Sequence, residues 1–173
     1  RCFYALEQKR ADQKRYPAVN PIDSYSKYLE YPEIQEYLEK TIAPGWTEKV
    51  NELKNLIRKG REAQEQINIL GDDGVPMNYH ELFWKSELID FVVLQQDAFD
   101  AIDALCPLER QKYMVELVLG ICERHFEFED FEKCRDFFKE IINILRQMNY
   151  SEFHSEQFKE FENKLNPLLS NGK

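Results

Sequence analysis

Apolar residues recur at three- and four-residue intervals along most of this 173-residue chain. Trp46, Val50, Leu53 and Ile57, and then Ile67, keep helical spacing after Pro44, a residue that a first helical turn tolerates. The run is predicted to stop at Leu70, before Gly71. Gly60 and Gln64 interrupt its apolar seam, so part of this helix is expected to face water. The stretch 71–78, Gly-Asp-Asp-Gly-Val-Pro-Met-Asn, carries two glycines and a proline and predicts a turn. A second helix is expected over 80–96, with Phe83, Leu88, Phe91 and Val92 among its apolar positions. Residues 97–106 read as a loop. Pro107 then opens a helix with Met114, Leu117, Val118, Ile121 and Cys122 on one face.

Phe131, Cys134, Phe138, Ile141, Ile142, Leu145 and Met148 mark an amphipathic helix. Phe158, Phe161, Leu165 and Leu168 mark a last one, expected to end at Pro167 and Gly172. Nearer the start, 1–15 is mixed with room for a short helix, 17–23 is a proline-rich turn, and 24–30 and 33–41 read as short helices. No alternating run competes as a strand. The expected fold is all-α, a helical bundle forming a single domain over 1–173.

Composition narrows the function classes. The chain is 43% hydrophobic and 32% charged, which suits a packed helical globule, and its net charge is -9. A nucleic-acid binder needs a basic face to displace counterions, and a polybasic membrane anchor needs the same sign, so neither is expected. No apolar run approaches the roughly 18 residues of a membrane-spanning helix. The chain opens on Arg1 with nothing resembling a signal peptide, and it is expected to be a fragment whose missing part holds the chemistry. Four cysteines, Cys2, Cys106, Cys122 and Cys134, form no C-x-x-C pair and are expected to be free and mostly buried.

Catalytic motifs are absent from the sequence. It holds neither G-x-x-x-x-G-K-[ST] nor G-x-G-x-x-G. His80-Glu81 begins no zinc-protease motif, because Trp84 stands where the second histidine belongs. Cys122 and His125 share a helix face but lack a second ligand pair. Asp97, Asp100 and Asp103 read as loop caps ahead of the helix at Pro107 rather than as a metal site. No catalytic residue and no metal ligand is expected in the chain itself. The residues alone describe an acidic helical bundle with an interaction or accessory role.

Three segments carry a resemblance. Tyr-Pro-Ala-Val-Asn-Pro-Ile-Asp-Ser, at 16–24, resembles the Tyr-Pro-Ala-Val-Asp-Pro-Leu-Asp-Ser segment that follows the nucleotide domain in catalytic subunits of rotary ATPases. Leu-Gln-Gln-Asp-Ala-Phe-Asp at 94–100, with Asp-Ala-Leu-Cys-Pro at 103–107, is similar to the Leu-Gln-Gln-Asn-Ala-Phe-Asp-Pro-Val-Asp … Cys-Pro run of the vacuolar/archaeal catalytic A subunit. Ile-Leu-Gly-Asp-Asp at 69–73 falls where that family has a helix-turn-helix tip against the rotating stalk. Pro21, Asp97 and Ala101-Ile102 depart from the family's Trp, Asn and Pro-Val.

The resemblance implies a C-terminal helical bundle beneath a nucleotide domain that lies upstream of Arg1. It implies that Tyr16, Pro17, Ala98 and Phe99 line the adenine pocket, and that Gly71, Asp72, Asp73, Gly74, Val75 and Pro76 touch the central stalk. The tip has fewer acids than that of F-type relatives, so contact by shape through Val75, Pro76 and Met77 is expected. ATP or ADP with Mg²⁺ would be held by the full subunit, with none bound to the fragment, which is expected to be inactive. Non-catalytic B subunits and central-stalk subunits would be partners in a cytoplasmic, peripheral membrane complex that moves protons or sodium ions. The rival expectation is a stand-alone helical adaptor in which Tyr16 and Phe99 are buried separately.

Overall fold

The computed structural model describes residues 1–171. Among these, the α-helices in chain order are α1 (Gln8–Asp12), α2 (Pro32–Thr41), α3 (Trp46–Leu70), α4 (Met77–Ile89), α5 (Leu108–Cys122), α6 (Phe131–Asn149) and α7 (Glu156–Asn171). The long helices pack because their apolar stripes must leave water. On α6 the buried positions Cys134, Phe138, Ile141, Leu145 and Met148 step by four and three residues, which keeps them on one face. They meet Leu88 and Ile89 of α4, Val118 of α5 and Phe158 of α7 in one core cluster. Each large apolar side chain buried there contributes about 1.5–3 kcal/mol. The α6 start is sealed by Asp130, whose carboxylate accepts the Lys133 N–H at 2.7 Å. The Tyr113 hydroxyl on α5 donates to Glu162 on α7.

Helices α3 and α4 form the most extensive pair in the fold. Gly60 lies at its centre and is buried, not water-facing as its place in the seam suggested. A Cβ on Gly60 would sit 2.1 Å from the Ser86 Cβ. The residue that interrupts the apolar pattern is therefore a point where the two helices approach too closely for a side chain.

Several other expectations are corrected. Residues 24–30 do not make a helix: β1 (Cys2–Phe3) pairs antiparallel with β2 (Tyr25–Ser26), and only Lys27–Glu30 winds into a 3₁₀ turn. Strands of two residues are too short to show alternation. What holds them is a cross-strand pair, the Phe3 and Tyr25 rings stacked at 5.7 Å. Pro44 lies outside α3, which starts after Gly45 at a left-handed φ of 71°. Helix α4 stops at Ile89 and gives way to a π turn over Asp90–Leu94, so 95–96 are not helical. Helix α7 continues through Pro167. The ring costs one backbone hydrogen bond, but Leu165 and Leu169, buried on either side, hold the helix to the core. Gly172 lies outside the described residues. All four cysteines are free, yet Cys2 and Cys106 are exposed and only Cys122 and Cys134 are buried. Burial pushes both inner thiols up to about 12, which leaves them unreactive.

Candidate functional site

A cleft of about 470 Å³ opens where three distant parts of the chain meet. The first is the segment after α1. Lys14 takes a left-handed φ of 56° and turns the chain so that Tyr16 emerges at the rim, ahead of a cis Tyr16–Pro17 peptide. The second is the stretch after α4. The Gln95 N–H closes the π turn on the Asp90 carbonyl at 2.9 Å, and the Gln96 N–H then donates to the Tyr16 carbonyl at 3.0 Å. That bond joins the two walls. The third is the end of α6, which supplies Arg146, Asn149 and Tyr150. Asn149 donates from Nδ2 to the Val92 carbonyl at 2.9 Å, a group within the π turn.

The loop bearing Ala98 and Phe99 is braced by the three aspartates. Asp97 Oδ1 accepts the Phe99 N–H at 2.9 Å. Asp100 Oδ1 accepts from Ile102 and Asp103, at 2.9 and 2.8 Å. Asp103 Oδ2 accepts the Asp97 N–H at 2.6 Å. With its backbone tied inward, the loop leaves the Phe99 ring wholly exposed, and Tyr16 across the cleft is 55% exposed.

Tyr16, Ala98 and Phe99 thus line one cleft, whereas Pro17 is not part of its lining. The pattern of residues gave no sign of Phe91, Arg146, Asn149 or Tyr150. Phe91 looked like an ordinary core position, but it lines the cleft between two guanidinium groups: the Arg15 carbon lies 4.6 Å and the Arg146 carbon 5.8 Å from its ring centre. Arg146 stands on the polar flank of α6, where an arginine is unremarkable in sequence.

Charges behind the cleft are paired in detail. Asp90, buried, receives Arg10 on Oδ1 and Arg15 on Oδ2, each at 2.5 Å. Arg15 also meets both oxygens of Glu87, at 2.8 and 2.7 Å. Burial alone lowers the Arg15 pKa, but the hydrogen bonds and charges of Glu87 and Asp90 outweigh it and hold the guanidinium above its ordinary value. Asp103 behaves differently. Burial pushes its carboxyl up, and the Asp97 N–H and the Arg110 charge offset only part of that.

A raised carboxyl pKa means the folded chain binds the proton more tightly than the unfolded one. The Asp103 contribution therefore favours folding more as pH falls into the interval between the unfolded and folded values. Asp103→Asn is expected to remove this dependence, while leaving the buried Arg110 without its carboxylate partner and so lowering stability overall. Denaturant melts of both proteins across the acid range check it, and parallel pH profiles would refute it.

At the far end of α4 lies the α3–α4 turn. Its 13 residues separate the two features by about 20 Å at 1.5 Å per residue. Gly71, at φ 80°, ends α3, and Asp72–Gly74 form a 3₁₀ turn. The Asp72 carbonyl is held at 2.9 Å by Nε2 of the buried His80, whose ring stacks on Phe131 at 5.4 Å. Gly71, Asp72, Asp73, Gly74 and Pro76 are exposed and Val75 is half-buried. Ile69 and Leu70 just before them are 73% and 57% exposed. These two apolar residues open the 69–73 motif and extend the exposed tip beyond the six residues, 71–76, that the resemblance put against the stalk.

Fold and cleft together define an all-α domain with an open cleft bearing two exposed aromatic rings at one end of a helical hairpin and a partly apolar tip at the other. The chain belongs to the family described as the C-terminal domain of V and A type ATP synthase, whose model matches residues 35–126, more than half of its length. Among similar proteins is the V-type ATP synthase alpha chain of Chlamydia abortus, 37% identical over 158 residues, covering 91% of this chain and 26% of that protein. The protein of the same description from Chlamydia trachomatis serovar L2 is 39% identical over 156 residues, covering 90% and 26%. The chain thus spans about a quarter of the length of these relatives. Among solved structures, the ATP synthase subunit NeqB from Nanoarcheaum equitans shares the fold, with a TM-score of 0.53 at 17% identity over 72% of this chain and 28% of that one. Among the described residues no helix is long and apolar enough to cross a membrane.

Proposed function

We propose that this chain completes the adenine pocket of the catalytic A subunit of a V/A-type rotary ATP synthase, and transmits the state of that pocket to the central stalk. The full subunit hydrolyses or makes ATP with Mg²⁺. Phosphoryl transfer requires a phosphate cradle, a metal and a residue positioning water. Those parts belong to the upstream nucleotide domain, so the 173 residues alone have no activity. Tyr16, Ala98 and Phe99, with Pro17 beside them, hold the base. The tip from Gly71 to Pro76, with Ile69 and Leu70, bears on the stalk. Non-catalytic B subunits and stalk subunits are the partners in a peripheral, cytoplasmic complex that moves protons or sodium ions.

The observation that carries this reading is the convergence of two exposed rings, Tyr16 and Phe99, on one open cleft tied together by the Gln96–Tyr16 hydrogen bond. Adenine presents two flat π-faces and suits such a slot. The amide and aspartate groups on the cleft wall supply polar partners for its edge.

Tyr16→Ala and Phe99→Ala in the full-length subunit are each expected to weaken ADP binding about tenfold, within the range of base–aromatic stacking. Calorimetric titration measures this. Wild-type ADP affinity in both variants would rule the adenine reading out.

A further inference from the structure

We infer that Arg15 is a positioning residue for the cleft: by locking onto Asp90 and Glu87 it sets where the neighbouring Tyr16 ring stands. The inference rests on the adenine reading above.

Tyr16 has little packing of its own, since more than half of it is exposed. Its place must come from its neighbours, and these form a closed ring of bonds. Arg15, covalently next to Tyr16, donates to Asp90 Oδ2 at 2.5 Å and to both oxygens of Glu87. The Asp90 carbonyl accepts the Gln95 N–H at 2.9 Å, and Gln96, next in the chain, returns to the Tyr16 carbonyl at 3.0 Å. The ring thus runs from Tyr16 through Arg15, Asp90, Gln95 and Gln96 back to Tyr16. The Arg15 guanidinium carbon also lies 4.6 Å from the ring centre of Phe91, which lines the cleft.

Each oxygen of Asp90 is taken by a different arginine, because Arg10 holds Oδ1 at 2.5 Å. A buried ion pair gives little net stability against a well-packed apolar alternative, since desolvation consumes most of the attraction. A planar fork on two carboxylates does fix direction, to a degree that apolar packing does not. Asp90 also begins the π turn, a local departure from helix geometry that often accompanies functional sites. The clasp joins the cleft wall to α4, the helix that reaches the tip.

The test is a double-mutant cycle in the full-length subunit, read as ADP affinity. Arg15→Lys keeps the charge but cannot span both carboxylates. It is expected to weaken ADP binding about fivefold, a part of what ring stacking contributes. In a Tyr16→Ala background the same change is expected to have no further effect. Glu87→Gln, which keeps the side-chain shape, is expected to act in the same direction and serves if Arg15→Lys does not fold. Affinity for inorganic tripolyphosphate, which has no base, stays unchanged in both.

Equal losses in the two backgrounds, a loss for tripolyphosphate, or failure of both variants to fold would overturn the inference, because Arg15 would then act on the fold at large. If Tyr16→Ala and Phe99→Ala both leave ADP affinity intact, the adenine reading itself has failed; if Tyr16→Ala alone does, only this inference has. If only the Arg15 and Glu87 variants are silent, that reading stands and this inference does not.

Discussion

Gly60→Ala is expected to destabilise the chain by about 3 kcal/mol, the upper end of the usual cost of overpacking. Two effects oppose each other at this position. Alanine is the better helix former, by about 1 kcal/mol in a helix interior. Against that, its methyl carbon would stand 2.1 Å from the Ser86 Cβ, 2.6 Å from the Ser86 Oγ and 3.1 Å from the Leu82 carbonyl oxygen. No rotamer change moves a Cβ, so α3 and α4 must separate along their most extensive contact. The clash outweighs the helix preference. A loss of this size lowers the melting temperature by about 6–12 °C in a domain of this length.

The cause can be isolated. Ser86→Gly in the same protein removes the nearer of the opposing atoms, and the double variant is expected to recover most of the lost stability. A single variant that melts at the wild-type temperature would show that the helices do not meet at Gly60.

Arg110→Ala is expected to cost about 3–5 kcal/mol, the range for leaving one partner of a buried charge pair alone. Arg110 is 1% exposed, and every part of its guanidinium is used. Nη1 donates to the Asn149 carbonyl at 3.1 Å, Nη2 to the Ile102 carbonyl at 3.0 Å, and Nε to the Cys106 sulfur at 3.3 Å. Asp103 Oδ1 lies 3.8 Å from Nη2. Truncation strands two carbonyls and a carboxylate that burial already disfavours.

These groups belong to the loop that bears Phe99 and to the end of α6. Loss of amide-exchange protection is therefore expected first in 97–106 and at the α6 terminus, ahead of α3 and α4. Uniform loss across the chain would contradict this local role. Arg110→Met with Asp103→Asn removes both charges while keeping most of the volume, and is expected to be the milder change.

The surroundings of Arg110 show why the site was only half legible in the sequence. The motifs at 16–24 and 94–100 named two walls of the cleft only through their resemblance to rotary ATPase catalytic subunits, since by their residues alone Tyr16 and Phe99 read as core aromatics. Arg110 and Arg146 gave no signal, since an arginine on a helix looks alike whether it is buried in a network, stacked on a ring or solvated. Phe91 was legible as apolar but not as a cleft residue. Pro17 was carried along with Tyr16 by adjacency, although it does not line the cleft. Similarly, the tip was marked by Gly71 and Gly74, while the exposure of Ile69 and Leu70 is known only from the packed fold.

Local chain chemistry by itself determined the all-α class, the order of the long helices and the turns between them. Three- and four-residue apolar spacing and proline or glycine punctuation act within a few residues, and they need no knowledge of the rest of the molecule. Tertiary structure alone decided that Gly60 is a close contact of α3 with α4, that α7 runs through Pro167, and that Cys2–Phe3 pairs with Tyr25–Ser26. It also decided that the end of α6 closes the cleft opened by Tyr16 and Phe99. Each of these sets a local preference against a contact made across the fold. The contact exists only once the chain is packed, and at these positions it prevails.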